Sequence, residues 1–248
     1  MNRIRMGIVQ RNDSTISNHL KSTDPVDVVV LHSTFLDPPR LAACRSIRTK
    51  ICGVLPNVDL VPYVWHYISH SPDDGISKIV TRKIAGNLQS TGHLQNSPEV
   101  LNAWNIMKDI IREIGASQSV LRTPSSFSTG SLGRKRLKEF IIQRSEEGIQ
   151  IVWESEGLWT VDMATAFARD VNTPVMASVV NCLGGQQSTW KGATWLRVTQ
   201  EIKASHAEIL AYEIADLAED TGDFTIVFDG PRALQSLRIF AKAWAQMN

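Results

Sequence analysis

Glu154 ends the apolar run Ile149 to Glu154 (IQIVWE), which sets a carboxylate beside Trp153 where a hydrophobic stretch gives out. A carboxyl group partly withdrawn from water can act as a general acid or base. It can equally end in an internal ion pair with Arg197 or Arg122. His32, His66 and His70 carry the side chain that titrates nearest neutrality and also binds metals. His66 and His70 are four apart, so on an extended strand they share a face. With Glu154 and Asp229 they would make a mixed nitrogen and oxygen ligand set, although no HExxH or comparable spacing is present. Arg197, in WLRV, carries a planar fork suited to a carboxylate or phosphate. Its alternative is an internal pair with Glu154 or Asp229. Thr34, Thr123, Asn181 and Asp229 are further polar groups at or just beyond apolar runs, as are Gln10 and Arg11. The residues assigned to catalysis are therefore Glu154, His32 and His70. Those assigned to substrate binding are Arg197, Thr34, Thr123, Asn181 and Asp229, and no metal ligand is assigned.

These side chains need a scaffold that brings many strand ends together. Eight short apolar runs recur: Ile4 to Val9, Val26 to Leu31, Leu60 to Ile68, Ser119 to Thr123, Ile149 to Glu154, Pro174 to Val180, Ala193 to Val198 and Phe224 to Asp229. Continuous rather than alternating hydrophobicity suits parallel strands covered on both faces. Helical patterns fill most gaps. Ser97 can cap, Pro98 fits the first helical position, and Val100, Trp104, Met107, Ile111 and Ile114 form one stripe that Gly115 ends. Arg40 to Lys50, Arg134 to Arg144, Thr160 to Val171, the stretch from Ala207 to Ala218 and the stretch after Pro231 are further helices. Asp13 to Lys21 is a weaker pattern. Eight strand–helix repeats in 248 residues predict an α/β fold, a single (β/α)8 TIM-barrel domain over 1–248. Two gaps depart from the repeat. Asn181 to Gly192 is too short and glycine-rich for a covering helix, so the helix between strands six and seven is missing or very short. His70 to Asn96 is long and polar, and predicts a mobile cover carrying Lys78, Arg82 and Lys83. Its alternative is a static excursion with a short helix near Ile79 to Ile84.

Composition narrows the partners. Hydrophobic residues make up 43% and charged residues 21%, and 26 basic side chains against 25 acidic ones leave a net charge of +1. That balance gives no reason to expect nucleic acid or an anionic membrane as partner, and a small-molecule ligand is the expected one. Three cysteines, Cys44, Cys52 and Cys182, form no CxxC pair, which predicts a reduced, cytoplasmic setting. No apolar run reaches the roughly 20 residues of a membrane span.

Five segments resemble the motifs of one family. His32-Ser33-Thr34-Phe35 resembles N-S-T-F after strand two. Trp65 with Ser69-His70 resembles W-x-x-x-T-H, and Thr123 to Phe127 resembles T-P-x-S-F. Trp153-Glu154 with Gly157 and Trp159 resembles W-E-x-R-G-x-W, and Arg197 resembles the arginine of Y-x-R-L on strand seven. In order and spacing these are similar to the YecE-like family of (β/α)8 barrels, a domain of unknown function. The resemblance implies the barrel and supplies no established activity. Several family positions are changed here: Gly7 is what remains of G-T-S-G-W, the strand-two glutamate falls at Val30, the motif asparagine is His32, a strand-three lysine falls at Tyr63, and the arginine after W-E is Glu156.

The functional face of such a barrel is the C-terminal end of its strands. The reading that follows is an acid/base enzyme on a small polar or anionic, sugar- or phosphate-like, substrate. A metal-assisted phosphodiesterase or isomerase using the histidines with Glu154 and Asp229 is a second reading. A barrel that binds a ligand or partner without catalysis is a third.

Overall fold

The computed structural model describes residues 4–11, 19–76, 81–179 and 191–247. Eight strands run β1 (Ile4–Gln10), β2 (Val28–Leu31), β3 (Asp59–Pro62), β4 (Gln118–Arg122), β5 (Gln150–Glu154), β6 (Val175–Val179), β7 (Trp195–Val198) and β8 (Phe224–Asp229). All pair in parallel, in the order β3-β2-β1-β8-β7-β6-β5-β4. Just beyond the ends of that series, Tyr63 bridges Val120, and the Val64 amide donates to the Val120 carbonyl at 2.8 Å. This seam brings the two edges together, so the sheet is a nearly closed eight-stranded TIM barrel. No exposed sheet edge has to be protected along this seam.

The helices are α1 (Ser33–Leu36), α2 (Leu41–Val54), α3 (His66–Ser69), α4 (Pro98–Ile114), α5 (Ser131–Glu146), α6 (Val161–Asp170), α7 (Ala204–Thr221) and α8 (Ala233–Met247). Local chemistry sets their ends. Ser97 Oγ accepts from the Val100 amide at 3.2 Å, Pro98 opens the first turn, and Gly115 ends α4 in the left-handed region at φ 71°. Thr160 caps α6 in the same way through the Met163 amide. The large core lies between sheet and helices, where Trp104, Met107 and Ile111 of α4 are buried with Leu121 and Ile151. A second apolar cluster fills the barrel itself, with Val9, Val30, Val61, Val120, Val152, Met176, Trp195 and Val227. Gly7 lies where β1 crowds β2, and a methyl group there would run into the Val28 carbonyl oxygen.

Two expectations are corrected, both in the third apolar run. The third apolar run is not one strand to Ile68: β3 stops at Pro62 and α3 begins at His66. Pro62 has no amide to extend the ladder, and α3 is buried at all four positions, so it shows no exposed face to mark it as a helix. His66 and His70 therefore do not share a strand face. The long excursion after β3 is fastened in its described parts. The Thr81 and Arg82 amides donate to Asp37 Oδ1 at 2.9 and 2.6 Å, Arg82 Nη1 donates to the Pro38 carbonyl at 2.6 Å, and its guanidinium lies over the Trp65 ring. Residues 81–84 are not helical. Residues 77–80, with Lys78 and Ile79, lie outside the described residues, as do 180–190 between β6 and β7 and most of the weak pattern from Asp13 to Lys21. Among the described residues no helix is long and apolar enough to cross a membrane.

Candidate active site

Strand parity builds the site. In β2, Val28 and Val30 face the barrel interior, so the side chain two positions on, His32, continues on that face. The same step leads from Val9 to Arg11, Val61 to Tyr63, Val120 to Arg122, Val152 to Glu154, Met176 to Ser178, Trp195 to Arg197 and Val227 to Asp229. Every strand thus carries one polar side chain directly beyond its last inward apolar one. The eight form a polar layer on the barrel's hydrophobic plug, at the C-terminal mouth.

Glu154 lies at the floor of this layer with its side chain 3% exposed. Arg197 Nη2 meets its Oε1 at 2.7 Å, and Ser178 Oγ donates to the same oxygen at 3.5 Å. The Tyr63 hydroxyl donates to Oε2 at 3.0 Å. Arg197 also donates to Tyr63 Oη at 3.4 Å and to Ser178 Oγ at 3.2 Å. Strands β5, β6 and β7 and the end of β3 therefore hold one carboxylate. Beside it, Arg11 grips Asp229 with both ends of its fork, Nε to Oδ1 at 2.7 Å and Nη2 to Oδ2 at 2.8 Å, while Arg197 Nη1 stands 3.8 Å from Asp229 Oδ2. Arg11 is 59% exposed and Asp229 wholly buried, so Arg11 forms the outer member of this pair. The His32 ring packs edge-on to Tyr63 at 4.9 Å and tilted to Phe35 at 5.6 Å.

The environment sorts the proton states. Burial, then the negative charge of Glu154, pushes the Tyr63 hydroxyl well above 10.0, so it remains a donor. Burial, then the positive charge of Arg11, lowers His32 to about 4, which leaves a neutral imidazole at pH 7. For Asp229 burial acts upward, but the hydrogen bonds and charge of Arg11 and the charge of Arg197 outweigh it and hold the carboxyl below its usual range. For Arg197 burial acts downward, and Glu154, Tyr63 and Asp229 together raise it.

The sequence-assigned residues divide. Glu154, Arg197 and Asp229 converge, and His32 packs on their neighbour Tyr63. Thr34 is committed elsewhere: its hydroxyl lies 2.8 Å from the Leu31 carbonyl and 2.7 Å from that of Tyr63. Thr123 accepts from Trp153 Nε1 at 3.1 Å, which ties the end of β4 to β5. His70 ends α3, with Nδ1 2.8 Å from Ser69 Oγ and its ring against Phe35, and burial lowers it to about 3. His66 places Nδ1 3.0 Å from the Phe35 carbonyl, in the same aromatic cluster. Among the described residues no group of three or more His, Cys, Asp or Glu side chains is placed to share one ion. Asn181 lies outside the described residues. Arg122, the other partner considered for Glu154, donates instead to Glu156 at 2.7 Å.

Sequence reasoning missed Tyr63 and Ser178 as site members. In the sequence Tyr63 stands out only as a changed family position. The signal that finds both is the two-residue step beyond the last inward apolar residue, which requires strand ends to be known within one residue.

No protein-family model matches the sequence, and no curated protein matches it either. Solved structures do resemble its fold. A DUF72 family protein from Enterococcus faecalis superposes with a TM-score of 0.64 at 11% identity, over 98% of this chain and 96% of the other. A DUF72 family protein from Thermotoga maritima gives 0.56 at 13%, over 98% of each chain. A D-tagatose 3-epimerase-like protein gives 0.60 at 12%, over 98% and 97%. At these identities the likeness is one of fold. The two DUF72 neighbours share with this chain the barrel that the five motifs imply.

Proposed function

We propose that the mouth is an active site for acid/base chemistry on a small polar, sugar-like molecule, with Glu154 as the proton-transferring group. One observation carries this reading: a single buried carboxylate is held by Tyr63, Ser178 and Arg197, from separate strands, at the functional end of the barrel. Preorganised donors around a charge are what an active site needs to stabilise charge that develops during reaction. Glu154 accepts a proton from the substrate. Tyr63, kept protonated, turns its hydroxyl toward a substrate oxygen. Arg197 orients that oxygen and offsets its developing charge. The His32 ring, neutral at pH 7, supplies a hydrogen bond to a substrate hydroxyl. Arg11 is the exposed member, and its displacement opens the way to the floor. The D-tagatose 3-epimerase-like neighbour supports a sugar as the class of molecule.

Binding is tested by thermal shift with a panel of aldoses, ketoses and sugar acids, since a ligand specific to the native state raises its melting temperature. The expected result is a shift with at least one sugar that Glu154→Gln abolishes. Equal shifts in parent and variant would remove Glu154 from the site.

A further inference from the structure

Barrels of this type often hold phosphate near the loops after strands seven and eight, against a helix N-terminus. In this chain that corner is built from carboxylates. Glu201 follows β7 and Asp229 ends β8, and between Gly230 and Arg232 the chain turns into α8. These residues line a cleft of about 240 Å³ with Thr199 and Ser236. Each acid is already matched: Arg232 Nη1 meets Glu201 Oε1 at 2.5 Å, and Arg11 grips both oxygens of Asp229. With Arg197 on Glu154, three cations meet three anions. A phosphate entering here would meet arginines already claimed, Arg232 by Glu201 and Arg11 by Asp229, and would confront the wholly buried Asp229. An uncompensated buried charge is strongly unfavourable. A hydroxyl brings no second negative charge, and Asp229 keeps Arg197 Nη1 at 3.8 Å when Arg11 leaves it. When Arg11 swings outward, the oxygens it leaves on Asp229 are acceptors suited to O–H donors.

We propose that Asp229 and Glu201 set the ligand class of the mouth: a neutral polyhydroxylated molecule whose hydroxyls donate to these carboxylates, in preference to its phosphorylated or carboxylated counterpart. The assignment rests on the mouth being the site of a sugar-like ligand, and it narrows that ligand to an uncharged one.

The test titrates the full chain and its D229N variant with neutral hexoses, with the 6-phosphates of the same hexoses, and with inorganic phosphate. In the parent, a neutral sugar binds more tightly than its phosphate, and inorganic phosphate leaves the melting temperature unchanged. D229N releases Arg11 and half-releases Arg197, so phosphate binds about tenfold more tightly than to the parent. E201Q alters only an exposed pair, and gives a smaller gain in the same direction that can be read even if D229N folds poorly. A parent that binds the 6-phosphates as well as the free sugars overturns the proposal, as does a phosphate response unchanged in both variants. If no neutral sugar binds while D229N still gains phosphate, the sugar reading falls and the charge assignment of the corner is supported.

Discussion

At the scale of single residues, the mouth is an arrangement of compensated charges. Glu154 and Arg197 are both buried, and a buried pair is most costly when only one partner is removed. Glu154→Gln should therefore destabilise the fold by about 3–5 kcal/mol, read as a lower urea midpoint. A midpoint equal to the parent's would mean that Arg197 finds full compensation elsewhere. The histidines add a pH dependence of known sign. His32 and His70 are lowered to about 4 and about 3 from 6.5. Between those values and 6.5 the unfolded chain binds protons that the folded chain does not, so stability rises with pH there. It is fully present above about 6.5 and is lost as pH falls through the window toward 4 and 3. His70→Asn should flatten the slope of urea midpoint against pH between 6 and 4, roughly in proportion to one proton fewer. An unchanged slope would place the burial effect elsewhere. At this scale the sequence was partly legible. Glu154, Arg197 and Asp229 stand out in the sequence as charged residues in or at the end of apolar runs, and their mutual ion pairs are the alternative the sequence already offers. Thr34 and Thr123 bond to backbone carbonyls and to an indole here, and residue type does not distinguish a hydroxyl with that role from one that meets a ligand.

At the scale of elements, α4 and the excursion after β3 illustrate opposite degrees of legibility. The stripe on α4, its Ser97 cap and its Gly115 stop were all readable, because each follows from local spacing. Trp104 is 2% exposed, packs on Phe140 and donates to Glu147 at 2.9 Å. Trp104→Ala should cost about 3–5 kcal/mol, checked by chemical denaturation, and an unchanged midpoint would contradict its burial. The excursion's polarity and glycines predict mobility. What composition could not show is that Asp37, more than 40 residues earlier, receives two of its amides. Trypsin should therefore spare the bond after Arg82 in the native protein, and Asp37→Ala should expose it. Rapid cutting there in the parent would restore the mobile cover. The boundary between β3 and α3 is illegible for a related reason: every residue from Leu60 to Ser69 is buried, and hydrophobic periodicity no longer separates strand from helix.

At the scale of the whole molecule, eight parallel strands in consecutive order were legible because covered strands leave short apolar runs separated by helical stripes. Closure is a non-local fact. It depends on Tyr63 meeting Val120 across more than 50 residues, and no local pattern announces it. Closure also makes the site, because it puts the end of β3, which carries Tyr63, across from β5, which carries Glu154. The polar layer follows from parity once the barrel is closed, and its chemistry belongs to the molecule rather than to any one motif. The most direct measurement of the central claim is proton exchange at carbon. The protein is incubated in D2O with neutral aldoses and ketoses, and deuterium incorporation beside the carbonyl carbon is followed by NMR. If Glu154 abstracts a proton from a sugar-like substrate, at least one sugar exchanges faster than its enzyme-free control, and Glu154→Gln loses that rate. If no sugar exchanges above control, or if the variant exchanges as fast as the parent, Glu154 is not the base of a sugar-directed enzyme.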